Sequence, residues 1–96
     1  MSARMDRLEF YRAPDVVKIN LRGEIVPDWR WRYVAANGHI LAVSSEGYRR
    51  RIDAVRCAAR VLGINADTLA DLVRNAPAEV YRGAGPVAYL RVVVKP

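Results

Sequence analysis

Asn37-Gly38 is the feature that most restricts what this chain can become. It falls between two strand-like runs, Trp29 to Ala35 (WRWRYVA) and His39 to Ser44 (HILAVS). An Asn-Gly pair there is a strong short-range hairpin signal, because the two central residues of a type I′ turn need positive φ. A two-residue loop at this point sets the register, with Ala36 opposite His39, Val34 opposite Leu41 and Tyr33 opposite Ala42. One face of the hairpin then carries Trp29, Trp31, Tyr33, Ile40 and Ala42. The other carries Arg30, Arg32, Val34, Leu41 and Val43. Neither face is purely polar, so both call for cover by a helix, a second layer or a partner chain.

Other elements group around this hairpin. Leu8 to Arg12 reads as a short strand. Val16 to Leu21 alternates, with Val17, Ile19 and Leu21 on one face, and Arg22-Gly23-Glu24 and Pro27-Asp28 read as turns. A helix is predicted from about Tyr48 to Leu62, stopped by Gly63. Its stripe Tyr48, Ile52, Val55, Ala59 and Leu62 is expected on the sheet. Ala54, Cys57, Ala58 and Val61 form a second apolar stripe, which a helix covered on one side would not need. Asn65 or Asp67 can cap a shorter helix ending near Asn75, with Leu69, Leu72 and Val73 as its apolar residues. Residues 78–82 and 87–95 read as strands. The last is apolar on both faces and belongs inside a sheet or against another chain. The fold class expected is α+β, an antiparallel sheet packed by one main and one short helix. The 96 residues suit a single domain, 1–96.

The segment from Trp29 to Gly63 resembles the YegP-like domain family, small domains of unknown function found singly or in tandem. The resemblance rests on Trp29-Arg30-Trp31-Arg32, Ala35-Ala36-Asn37-Gly38, the aliphatic run 40–43 ending in Ser44, and Glu46-Gly47-Tyr48 before a helix. It implies three strands and a helix, with two units joined in one sheet, here as a homodimer. Against that pattern, 13–28 reads as an insertion and 77–96 as a C-terminal extension. The family brings no established activity and so no functional residues.

The residue inventory narrows the chemistry. One cysteine, Cys57, and one histidine, His39, give no intrachain disulfide and no zinc-ligand set, so no metal or cofactor is expected. No nucleotide-binding glycine pattern and no nucleophile elbow occur. His39, following a turn, is expected to be exposed, and Cys57 to pack rather than react. No apolar run approaches the ~20 residues that cross a bilayer, and the start of the chain lacks a signal-peptide apolar region. A cytoplasmic protein is expected, with no membrane partner.

The net charge is +6, and only Lys18 and Lys95 among the sixteen basic residues are not Arg. That bias fits the GC-rich genome of a bacterium or its phage, or selection for phosphate and carboxylate recognition. Arg49, Arg50, Arg51, Arg56 and Arg60 make the densest basic patch. It starts at a helix N-terminus, where cations oppose the dipole, which points to an anionic partner or to acidic residues nearby. Trp29, Trp31 and Tyr33 alternate with Arg30 and Arg32, so aromatics and cations fall on opposite faces, unlike a base-stacking site.

The function expected is a non-enzymatic binding module, acting through protein–protein contacts as a homodimer or with another protein. Ala54, Cys57, Ala58 and Val61 are the expected dimer interface, although the chain's own segment Leu69–Val73 would serve equally to cover them. The alternative is a nucleic-acid-binding regulator using the Arg49–Arg60 face.

Overall fold

A computed structural model describes residues 5–12, 18–19, 21–44, 46–81 and 89–95. In chain order the elements are β1 (Asp6–Arg12), β2 (Lys18–Ile19), β3 (Ile25–Val26), β4 (Trp29–Val34), β5 (Ile40–Val43), α1 (Arg51–Leu62), α2 (Ala66–Arg74), β6 (Ala78–Tyr81) and β7 (Tyr89–Val94). Five strands form one sheet in the order β5-β4-β1-β7-β6. All neighbours are antiparallel except β1 and β7, which run parallel. The fold is therefore α+β with a mixed sheet. β2 and β3 form a separate two-stranded hairpin.

β1 is central because it can be buried on both sides. Leu8 and Phe10 are fully buried and pair with Tyr33 and Trp31 of β4 and with Val92 and Val94 of β7. Period-two alternation puts these residues on one face. There they join Leu69 and Val73 of α2 and Ala54, Val55, Ala58 and Ala59 of α1 in the core. α1 lies over β4 and β1, and α2 over β7 and β6. Both helices cover the same face. The aromatic residues Trp29, Trp31 and Tyr33 point to that covered side, apart from Arg30 and Arg32, as the alternation predicts.

The hairpin differs in detail from the two-residue turn. The Gly38 N–H donates to the Ala35 carbonyl at 2.8 Å, and the Ala35 N–H donates to the His39 carbonyl at 2.8 Å. Among the described residues only glycines have positive φ, and Gly38 sits at +90°. The loop is thus three residues, Ala36-Asn37-Gly38, with Gly38 alone in the conformation that disfavours a side chain. Asn37 instead accepts the His39 N–H on its side-chain oxygen at 3.0 Å. The longer loop pairs Ala35, not Ala36, with His39, and sets Val34 opposite Ile40 rather than Leu41. A bulge then restores Tyr33 opposite Ala42 and Arg32 opposite Val43. Ile40 and Leu41 both oppose Val34, so Ile40 leaves the aromatic face expected for it and is exposed.

α1 begins at Arg51 rather than Tyr48, which makes a single antiparallel bridge with Trp29 instead. The helix ends at Gly63, which has φ +69°. Its buried face is one band, Ala54, Val55, Ala58 and Ala59, formed from parts of both expected stripes. Ile52, assigned to the sheet, is exposed, as is Val61. Ala54 and Ala58 were expected to be available to a second chain. They are fully buried within this one, in the core that α1 forms with the sheet and α2. α2 starts as read: the Asn65 side chain accepts the Thr68 N–H at 3.0 Å.

Two further expectations fall differently. Ile19 and Leu21 are exposed rather than half-buried. Val16 and Val17 lie outside the described residues, as do 82–88, where the turn between the last strands was placed. β7 does lie inside the sheet, between β1 and β6.

Candidate functional site

With both helices on one side, the other face of the sheet stays uncovered among the described residues. Strand alternation puts Arg7, Glu9 and Tyr11 of β1 there, with Arg30, Arg32 and Val34 of β4 and Val93 of β7. Ile40, Leu41 and Val43 of the edge strand β5 complete its apolar border. These three are 57%, 60% and 55% exposed. Contiguous exposed aliphatics rimmed by charge are uncommon on a surface that faces only water.

The centre of the face is a buried carboxylate. Glu9 is 3% exposed, although no helix covers it. Arg32 Nε lies 2.5 Å from Glu9 Oε1, Lys95 Nζ 3.1 Å from Oε2, and Arg7 Nε 3.5 Å from Oε2. The long cationic side chains surround it with their stems while keeping their heads wet. Burial pushes the Glu9 carboxyl up, but hydrogen bonds and charge from Arg32 and Lys95 outweigh this and hold it below its ordinary value of 4.5. Three cations share one carboxylate, so this cluster is left with an excess of positive charge. The Arg32 guanidinium also lies 4.9 Å from the Tyr11 ring centroid. A shallow depression beside the cluster is lined by Arg7, Glu9, Arg32, Val34, Gly38, Ile40 and Lys95.

The expected arginine patch is exposed throughout, but much of it is engaged. Arg50 donates to Asp53 at 2.9 and 3.2 Å, and Arg56 lies 3.7 Å from the same carboxylate. Asp53 in the first turn of α1 thus supplies the nearby acid that a basic run at a helix N-terminus requires. The Arg51 guanidinium sits 5.8 Å from the Trp29 ring centroid, and Arg12 lies at the same distance. Arg49 and Arg60 project from the same helical region as exposed residues.

Of the expected interface, Ala54 and Ala58 are core, Cys57 is half-buried against the core and Val61 alone is well exposed. The Tyr48 hydroxyl hydrogen-bonds with Cys57, and this, with burial, pushes its pKa up to about 12. His39 is exposed. No group of three His, Cys, Asp or Glu among the described residues is placed to hold a metal ion. No helix among the described residues is long and apolar enough to cross a membrane.

The Glu46-Gly47-Tyr48 turn has a structural job. Trp29 and Tyr48 exchange backbone bonds of 2.7 and 2.8 Å. The buried Asp28 carboxylate lies directly against Gly47, where a methyl group would overlap Asp28 Oδ1. Asp28 also accepts Arg30 Nε at 3.1 Å.

The described residues thus form an α+β domain whose sheet has one covered face and one open face. Residues 27–68 match the family model described as Domain of unknown function (DUF1508). This is the YegP-like family whose pattern the sequence resembles. The matched stretch spans β4, β5, α1 and the start of α2. No curated protein and no solved structure matches the chain.

Sequence reading missed Glu9 and Asp28. Glu9 stands between Leu8 and Phe10 as an ordinary outward residue, and Asp28 after Pro27 as an ordinary turn residue. The one signal for Glu9 was its alternation onto the face of Arg30 and Arg32, and this becomes visible only once β1 and β4 are known to be neighbours.

Proposed function

We propose that the protein is a non-enzymatic binding module that engages another protein through the open face of its sheet. The observation that carries this reading is the exposed strip Ile40, Leu41 and Val43 on an unpaired edge strand beside the Arg7–Glu9–Arg32–Lys95 cluster. A sheet buries a face by packing it on another layer, and the chain's two helices are both spent on the opposite side.

The features that favoured a homodimer are largely satisfied within the chain. Ala54 and Ala58 are buried in the chain's own core, and β7 is paired on both sides. Two copies meeting by their open faces would bring like charge onto like charge. Self-association would therefore run through an edge strand, β5 or β6, where a second copy would extend the sheet by backbone pairing.

The test compares wild type with two surface variants in capture from cell extract, with nuclease and at low and high salt. One variant is Leu41→Lys with Val43→Lys, and the other Arg49→Glu with Arg60→Glu. A protein held by wild type in high salt and lost only with the first variant supports the reading. Nucleic acid held only at low salt and lost with the second supports the arginine-face alternative. Retention of the same proteins by the first variant overturns the reading. Light scattering on purified wild type decides self-association, for which a monomer mass across a hundredfold concentration range is the refuting result.

A further inference from the structure

We infer that the occupant of the open sheet face is an acidic amphipathic helix laid along the edge strand β5; this rests on the reading of that face as a protein-binding surface. Three observations select it. The depression on this face mixes two aliphatic side chains, Val34 and Ile40, with three cations, Arg7, Arg32 and Lys95. A ligand that fills it needs carboxylates and apolar groups side by side. Arg7 and Lys95 keep 41% and 47% of their side chains accessible although both reach Glu9, so each can take a second carboxylate from outside. The strip Ile40, Leu41 and Val43 borders the cluster on one side only. An occupant must therefore be apolar along one stripe and acidic along the flank beside it, which is the surface of an amphipathic helix.

Dimensions agree with this. β5 runs over four residues, about 13 Å at ~3.3 Å per residue. A helix rising ~1.5 Å per residue covers that in about 9 residues, or between two and three turns. Such a helix would do for this face what α1 and α2 do for the other.

The other occupants fit less well. A second copy of this chain is basic overall, at +6, and opposes cations to cations. A single strand of nucleic acid needs open aromatic rings on which bases stack. Here Trp29, Trp31 and Tyr33 face the helices, and Tyr11 lies under the Arg32 guanidinium. The face offers aliphatic side chains instead.

The experiment uses the whole protein and four labelled probes. The first is a synthetic peptide of about 18 residues with leucines at helical spacing and glutamates on the flank. The others are the same peptide with lysine for every glutamate, a scramble of the first that destroys the apolar stripe, and a single-stranded RNA oligonucleotide. Anisotropy measures binding, and circular dichroism measures helix gained by the peptide and confirms that each variant is folded. The glutamate peptide is expected to bind, to become helical when bound, and to weaken about tenfold with either Leu41→Glu or the pair Arg7→Gln and Lys95→Gln. All three altered side chains are substantially exposed or at the rim, so the fold should survive.

The inference is overturned if the scramble or the lysine peptide binds equally well, or if the RNA binds more tightly and is lost with Arg7→Gln and Lys95→Gln. It is also overturned if no probe binds below about 1 mM. These failures remain distinct from failure of the protein-binding reading. If Leu41→Lys with Val43→Lys still loses a captured cellular protein while the glutamate peptide ignores the face, the face is a docking surface for something other than an acidic helix. If neither the peptide nor any protein responds to changes on this face, both fall.

Discussion

Gly47→Ala is the substitution whose consequence the structure defines most sharply. Gly47 is not among the positive-φ glycines, which are Gly23, Gly38 and Gly63, so its backbone would accept a side chain. What excludes one is space. An added methyl group would occupy the position of Asp28 Oδ1. Neither wall can retreat freely, because Trp29 and Tyr48, one residue beyond each, are tied by two backbone bonds of 2.7 and 2.8 Å. The Asp28 carboxylate is itself buried and held to Arg30 at 3.1 Å.

Overpacking of this kind costs about 1–3 kcal/mol. Loss of the two bridge hydrogen bonds adds ~1 kcal/mol each if the strands part. A total of roughly 3–5 kcal/mol is expected with the bridge lost, a large share of the ~5–15 kcal/mol typical of a whole domain. For a chain of this size each kcal/mol shifts Tm by about 4–8 °C, so a fall of roughly 12–40 °C should follow. Urea denaturation and calorimetry measure it. The decisive control is a double-mutant cycle with Asp28→Ala, which removes the obstructing carboxylate. In that background Gly47→Ala should cost less than about 0.5 kcal/mol. Equal cost in both backgrounds, or no cost in the wild-type background, would refute the packing argument.

Other outcomes follow from the same structure. Gly38→Val should destabilise the protein by about 1 kcal/mol or more, because a β-branched residue is strained at φ +90°; an unchanged urea midpoint would contradict the turn. Ala58→Arg should unfold the protein or cost several kcal/mol, since the site is fully buried between helix and sheet, and a stable, folded variant would place that helix face outside the core. Because the Glu9 pKa is lowered, its contribution to stability is present above its ordinary value of 4.5 and lost as pH falls through the folded value. Thermal melts of wild type should therefore fall as pH drops below that value, and Glu9→Gln should flatten this part of the profile; identical acid profiles would show that the Arg32–Lys95 cluster does not couple to folding.

What could be read from the sequence was what neighbouring residues decide among themselves. Asn37-Gly38 located the hairpin, Asn65 located the start of α2, and Gly63 the end of α1. The turn type escaped because Asn37 can satisfy the His39 N–H through its side chain, which stabilises the longer loop. The faces of α1 were split wrongly for a tertiary reason. A helical wheel shows that both Ile52 and Ala54 are apolar, and only the way α1 is set on the rest of the core decides that alanine is the residue buried there. The open face was still harder to foresee. Its Arg7, Glu9, Arg32 and Lys95 come from strands that meet only through the β1–β4 and β1–β7 pairings, and β7 gave no local sign of lying parallel to β1. The Leu90–Val94 run could be recognised as interior, but not its neighbour.

That parallel pairing also governs the order of events during synthesis. Asp6 of β1 pairs with Leu90 of β7, so one whole side of the central strand waits for a partner more than eighty residues away. Until that partner emerges, β1 has only β4 beside it, and Leu8 and Phe10 lack their neighbours Val92 and Val94. Contacts of such long sequence separation are slow to form, and an interior strand left as an edge invites pairing with other chains. A ribosome-bound chain that ends before Tyr89 should consequently be sensitive to protease at β1 and prone to aggregate, and emergence of β7 from the ribosome should be the moment at which the domain becomes protected as a whole.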